Sequence, residues 1–124
     1  MNNNYSKYSI DLEVKFKPLE IIDVPSIIKQ SKEKWQNISL CIVNNSVIRL
    51  AVIEGEFHWH KHNVEDEFFF VLDGLLIIDL EDKVIELKSK QGFMVPKGVL
   101  HKTRAPTRTS VLVIEDSTVK PTGD

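Results

Sequence analysis

Between residues 38 and 114 the chain keeps breaking into short apolar segments separated by turn-forming residues, and few folds accept that pattern. Residues 40–43 run into Asn44-Asn45 and then 47–53. Residues 68–72 meet Asp73-Gly74 and then 75–80, and Glu81-Asp82 leads into 84–87. Segments 93–95 and 109–114 complete the series. Asn and Gly tolerate the positive φ of tight turns, so each turn reads as joining two paired strands in a hairpin. Many short strands with frequent turns point to an all-β sandwich or barrel.

The N-terminal third has a different rhythm. Residues 11–16 alternate Leu12, Val14 and Phe16 with Glu13 and Lys15, the period of a short strand at a sheet edge or one exchanged between chains. Val24, Ile27, Ile28, Ser31 and Trp35 then fall at helical spacing, with Asp23 placed to cap and Pro25 in the first turn. One short amphipathic helix over 23–35, laid against a sheet, is expected. Residues 1–10 read as a loose leading segment and 118–124 as an extended tail. No repeat or internal boundary is visible, so 1–124 reads as a single domain, long enough to bury a core.

The totals narrow the partners. A formal net charge of -2 without a basic block gives no footprint for nucleic acid. The longest apolar run is far short of the roughly 20 residues of a membrane helix. Cys41 is the one cysteine, so no internal disulfide exists, and its apolar setting reads as a buried structural thiol. The polar N-terminus lacks the apolar stretch of a signal peptide, and a cytoplasmic protein is expected.

The histidines carry the chemistry. Of four, three alternate strictly as His58, His60 and His62. On a strand they would share one face, with Phe57, Trp59 and Lys61 on the other. Imidazoles crowded on an inward face need a partner for their polar atoms, and a metal ion supplies one. A solvated histidine cluster also fits the pattern. Glu67 follows after a short loop that could return it to the same centre, although Glu65 and Asp66 compete with it. His101 stands after a turn forced by Pro96 and Gly98. Imidazole with carboxylate suits Mn, Fe, Co, Ni, Cu or Zn rather than Ca or Mg.

These residues resemble the two motifs of the cupin superfamily. His60-x-His62, Glu67 and Gly74 match the first, and Pro96, Gly98 and His101 match the second. The surrounding hairpins and the C-terminal tail resemble the small phosphomannose-isomerase-like cupins. The resemblance implies a jelly-roll β-barrel with one short N-terminal helix. It also implies one divalent transition metal held by His60, His62, Glu67 and His101. The chain departs from the pattern where the family usually has Gly, at Lys90, and Gln91 follows where Asp is common. Gly55 also stands one residue closer to His60 than usual, which suggests a bulge.

Strand parity extends the site. An inward Glu67 carries Phe69 and Val71 inward as pocket walls, and an inward His101 brings Thr103. Lys102 and Arg104 then face out. His58, extra to the motif, is expected on the metal face as the one candidate for moving a proton. Phe68, Phe70 and Leu72, with Phe57 and Trp59, would face outward. A homodimer, or alternatively the N-terminal helix, is expected to cover them. Cupins include isomerases, dioxygenases and non-catalytic binders. The expected activity is therefore a metal-dependent reaction on a small polar metabolite, or else small-molecule binding or sensing around a structural metal.

Overall fold

The structure, a computed structural model, describes residues 7–124. In chain order it contains β1 (Ser9–Asp11), α1 (Val24–Gln30), β2 (Trp35–Val43), β3 (Ser46–Glu56) and β4 (Glu67–Asp73). There follow β5 (Leu75–Leu80), β6 (Val84–Lys88), β7 (Gly92–Val95) and β8 (His101–Asp116). The result is a mostly β jelly roll with one short helix.

The long β8 organises the molecule. Along one side β3 pairs with it antiparallel, from Ser46 opposite Asp116 to Glu56 opposite Arg104. Along the other side β4 covers its C-terminal half, and β5 covers its N-terminal end, where Leu80 faces His101. Asp73-Gly74 is therefore not a hairpin, because β4 and β5 are successive lengths lying along one partner. The chain bends there as β3 does at Gly55 (φ 107), where the pairing slips between Ile53 and Gly55. Strands that turn a corner through a bulge pass from one layer to the next in this way. Gly74 (φ 101) also lies so close to β8 that a Cβ would sit 2.5 Å from Thr109 Oγ1. That hydroxyl accepts from Leu75 N and donates to Leu75 O, fixing the corner.

The other two turns are hairpins as expected, with β2 joined to β3 at Asn44 (φ 53) and β5 paired with β6. The turn before β7 forms without glycine. Lys90 takes φ 69, and its N–H donates to Val71 O.

The N-terminal segment differs from its sequence reading. The strand is Ser9–Asp11, parallel to β2, and residues 12–16 run on beside β2 through Lys15 N to Ser39 O and Phe16 N to Leu40 O. Residues 1–6 of the expected loose segment lie outside the described residues, whereas Tyr8 is buried. The helix stops at Gln30, and Trp35 opens β2 and enters the barrel core. Helical spacing up to Trp35 was coincidental, because a strand start buries one large residue just as well. Val24, Ile27 and Ile28 pack with Phe16 over Leu40, Leu50, Val52, Leu72 and Leu112. The helix thus covers part of the outer face within the chain. Cys41 is half-buried.

The inner core gathers Trp35, Ala51, Ile53, Phe57, Phe69, Val71, Leu76, Ile78, Val111 and Val113. Burying side chains of this size contributes about 1.5–3 kcal/mol each.

Candidate metal centre

His60 and His62 lie in the segment after β3, Glu67 is the first residue of β4, and His101 is the first residue of β8. Backbone bonds bring these starts together. His60 and His101 exchange N–H to O=C bonds of 2.9 Å in both directions, and Gly98 N donates to His62 O. All four side chains are buried, and one ligand atom from each lies within 4.8 Å of the others.

The imidazoles are oriented for an ion. His60 Nδ1–H donates to His58 O at 3.0 Å, and His101 Nδ1–H donates to Val99 O at 3.0 Å. A carbonyl only accepts, so each ring keeps its proton on Nδ1 and turns a bare Nε2 to the centre. Glu67 Oε1 lies 3.2 Å from His101 Nε2 and 3.4 Å from His62 Nε2. Ligands about 2.1 Å from one ion at right angles stand about 3.0 Å apart, close to this spacing. His62 is 2% exposed, and the Glu67 carboxylate at 3.4 Å is the neighbour of its Nε2, at no full hydrogen bond. A buried imidazole nitrogen so poorly satisfied is costly, and a cation shared at Nε2 would satisfy it. The four residues therefore fit a divalent metal.

The electrostatics agree. Burial, aided by His101, pushes His60 down to about 4 and keeps it a neutral donor. Burial opposes charge on His62 too, but the Glu67 carboxylate outweighs it and raises this imidazole. Burial alone would raise Glu67, yet His101, His62 and Glu115 hold its carboxyl below the usual range.

Glu115 and Arg49 were not anticipated. Glu115 faces Glu67 across β4 and β8, and Arg49 Nη1 lies 3.2 Å from Glu115 Oε2, with both side chains buried. Burial and the neighbouring Glu67 raise Glu115, while Arg49 pulls the other way. The available signal was a lone charge at an inward position in each of two apolar strands.

A cavity of about 40 Å³ opens beside the centre, with His60, Glu67, Phe69 and Thr103 in its wall. Val71 is fully buried in the core instead of lining it. His58 is also absent from the wall. Its Nε2–H donates to Thr122 O at 2.6 Å, and its Nδ1 accepts from the Tyr8 hydroxyl at 3.3 Å. The slip at Gly55 ends the alternation, so Phe57 turns into the core against Trp35, while Trp59 faces out at 46% exposure. Lys102 pairs with Glu56, and Arg104 binds Asp79 through two nitrogens.

Residues 46–115 match the cupin domain family, Cupin_2. The chain belongs to the cupins. The uncharacterised protein YdbB of Bacillus subtilis (strain 168) is 44% identical over 91 residues, 73% of this cupin and 80% of YdbB. Among solved structures, a cupin-2 domain containing protein from Shewanella frigidimarina is 31% identical, with a TM-score of 0.74. That match covers 77% of this chain and 94% of the other. Protein NMB1881 from Neisseria meningitidis is 26% identical, with a TM-score of 0.70, over 78% and 99%. No helix among the described residues is long and apolar enough to cross a membrane.

Proposed function

We propose that this cupin is a metal-dependent protein that takes a small organic molecule into the cavity beside its ion and acts on it. The observation that carries the reading is the convergence of four buried donors, two of which, His60 and Glu67, line that cavity. A divalent metal bound there supplies Lewis acidity toward an oxygen donor of the ligand. His60, His62, Glu67 and His101 hold the ion, while Phe69 and Thr103 shape the space next to it.

Among the described residues the wall contains no Lys or Arg, and the nearby Lys102 and Arg104 are committed to acidic partners. This favours an uncharged or singly charged ligand over a sugar phosphate. His58, held at both nitrogens, serves in this reading as a strut beneath His60 through its carbonyl. The second reading, ligand binding around a structural metal, is favoured by one observation: among the described residues, the cavity wall holds no acid or base beyond the metal donors. We place the protein in the cytoplasm, where a lone thiol such as Cys41 stays reduced.

Elemental analysis of protein purified without added metal is expected to find one transition-metal ion per chain, lost in His60→Ala. A folded wild-type protein that retains no metal when offered zinc or manganese would overturn the reading. The outer strip of half-buried Phe68 and Phe70 beside the exposed Met94, beyond the helix, supports a homodimer. Sedimentation at micromolar concentration is expected to show two chains, and a stable monomer would refute it.

A further inference from the structure

Beyond the metal donors, the polar side chains that line the cavity among the described residues include Thr103 and Asn37. Thr103 is two residues from His101 and belongs to the same strand end. Asn37 belongs to β2, which carries no metal donor, and stands opposite Ala51 in a wall otherwise made by Trp35, Ile53 and Phe57. Its Oδ1 is shut off from solvent and has no hydrogen-bond partner among the described residues, while the residue as a whole is half-buried. An amide oxygen left unsatisfied in a largely apolar wall costs free energy. A strand position between Trp35 and the core would hold Val or Leu at no such cost.

We infer that Asn37 orients the ligand, by hydrogen bonding a hydroxyl at the end remote from the metal. A hydroxyl fits because it both donates and accepts, so it pairs with either end of the amide. The cavity volume leaves room for about three water-sized groups, enough for the stem and far end of a ligand whose metal-binding oxygens sit at the centre beside it. The ligand class is thus a compact molecule whose oxygen donors meet the metal, whose two- or three-carbon stem lies among Phe57, Phe69 and Ile53, and whose far end carries a hydroxyl. This deepens the proposed function and rests on it.

Two isosteric chelators test the inference: 3-hydroxypropanohydroxamate, and butanohydroxamate, which replaces the hydroxyl with a methyl. Calorimetry on zinc-loaded protein is expected to show the hydroxyl probe binding about tenfold tighter. Asn37→Leu is expected to abolish or reverse that preference while zinc content stays unchanged. Asn37→Val, smaller and at home in a strand, carries the same expectation if Leu crowds the cavity. Equal affinities in wild-type protein, or a preference lost in Thr103→Val but kept in the Asn37 variants, would overturn the role of Asn37 and leave the metal reading intact. Failure of the wild type to hold zinc would overturn both.

Discussion

Glu115 shows how one side chain can matter to the site without touching the ion. It stands between Arg49 and Glu67, so a buried cation, a buried acid and a metal donor form one row. Removing one member strands another. Glu115→Leu leaves the Arg49 charge without a partner in the interior and is expected to cost roughly 3–5 kcal/mol in urea unfolding. Arg49→Met combined with Glu115→Leu is expected to recover most of that loss, because the unpaired Arg49 charge is then gone as well. Equal losses in the single and double variants would show that the two residues are not a unit. The buried group that could hold a metal, His60, His62, Glu67 and His101, was legible through the two cupin motifs that the sequence resembles. His58 was not. The strict alternation that recommended it holds only on a regular strand, and Gly55 ends the strand's register just before it.

At the scale of elements, the C-terminal tail does more than trail. Thr122 O binds His58, Asp124 N donates to Lys61 O, and Asp124 Oδ2 accepts from Asn63 N. A Cβ on Gly123 (φ 96) would sit 2.5 Å from His60 Cβ, so only glycine allows this approach. The tail therefore braces the strip that presents His60 and His62. Deleting residues 118–124 is expected to weaken metal affinity roughly tenfold, the scale of losing outer support for a ligand. A competition titration against a chromogenic chelator would measure it, and unchanged affinity would sink the idea. Several elements were readable from period and turn residues, including β3, β5 and β6. The corner at Asp73-Gly74 was not, because a hairpin and a bend along one long partner share the same turn residues and the same period.

At the scale of the whole molecule, the centre ties together the starts of two strands and the segment after a third, so metal and fold are coupled. Chelation is expected to lower the melting temperature, and an ion in thousandfold excess over its dissociation constant contributes about 4 kcal/mol. Acid should act similarly. The metal needs neutral imidazoles, and the raised His62 binds a proton at a pH above 6.5, well before His60 at about 4. Apparent affinity is thus expected to fall as pH drops through a value above 6.5, by about tenfold per unit at first. Equilibrium dialysis across a pH series checks this, and constant affinity down to about pH 6 would contradict it. What the amino-acid order determined alone was local: the all-β class and the two motifs, because strand period and motif spacing act over a few residues. What only the tertiary structure decided was the tie of His58 to Tyr8 and Thr122, the Arg49–Glu115 row, the corner at Gly74 and the presence of Asn37 in the cavity wall. Each joins residues far apart in the chain, so its geometry depends on register slips and on long-range pairing with β8, and neither leaves a local trace.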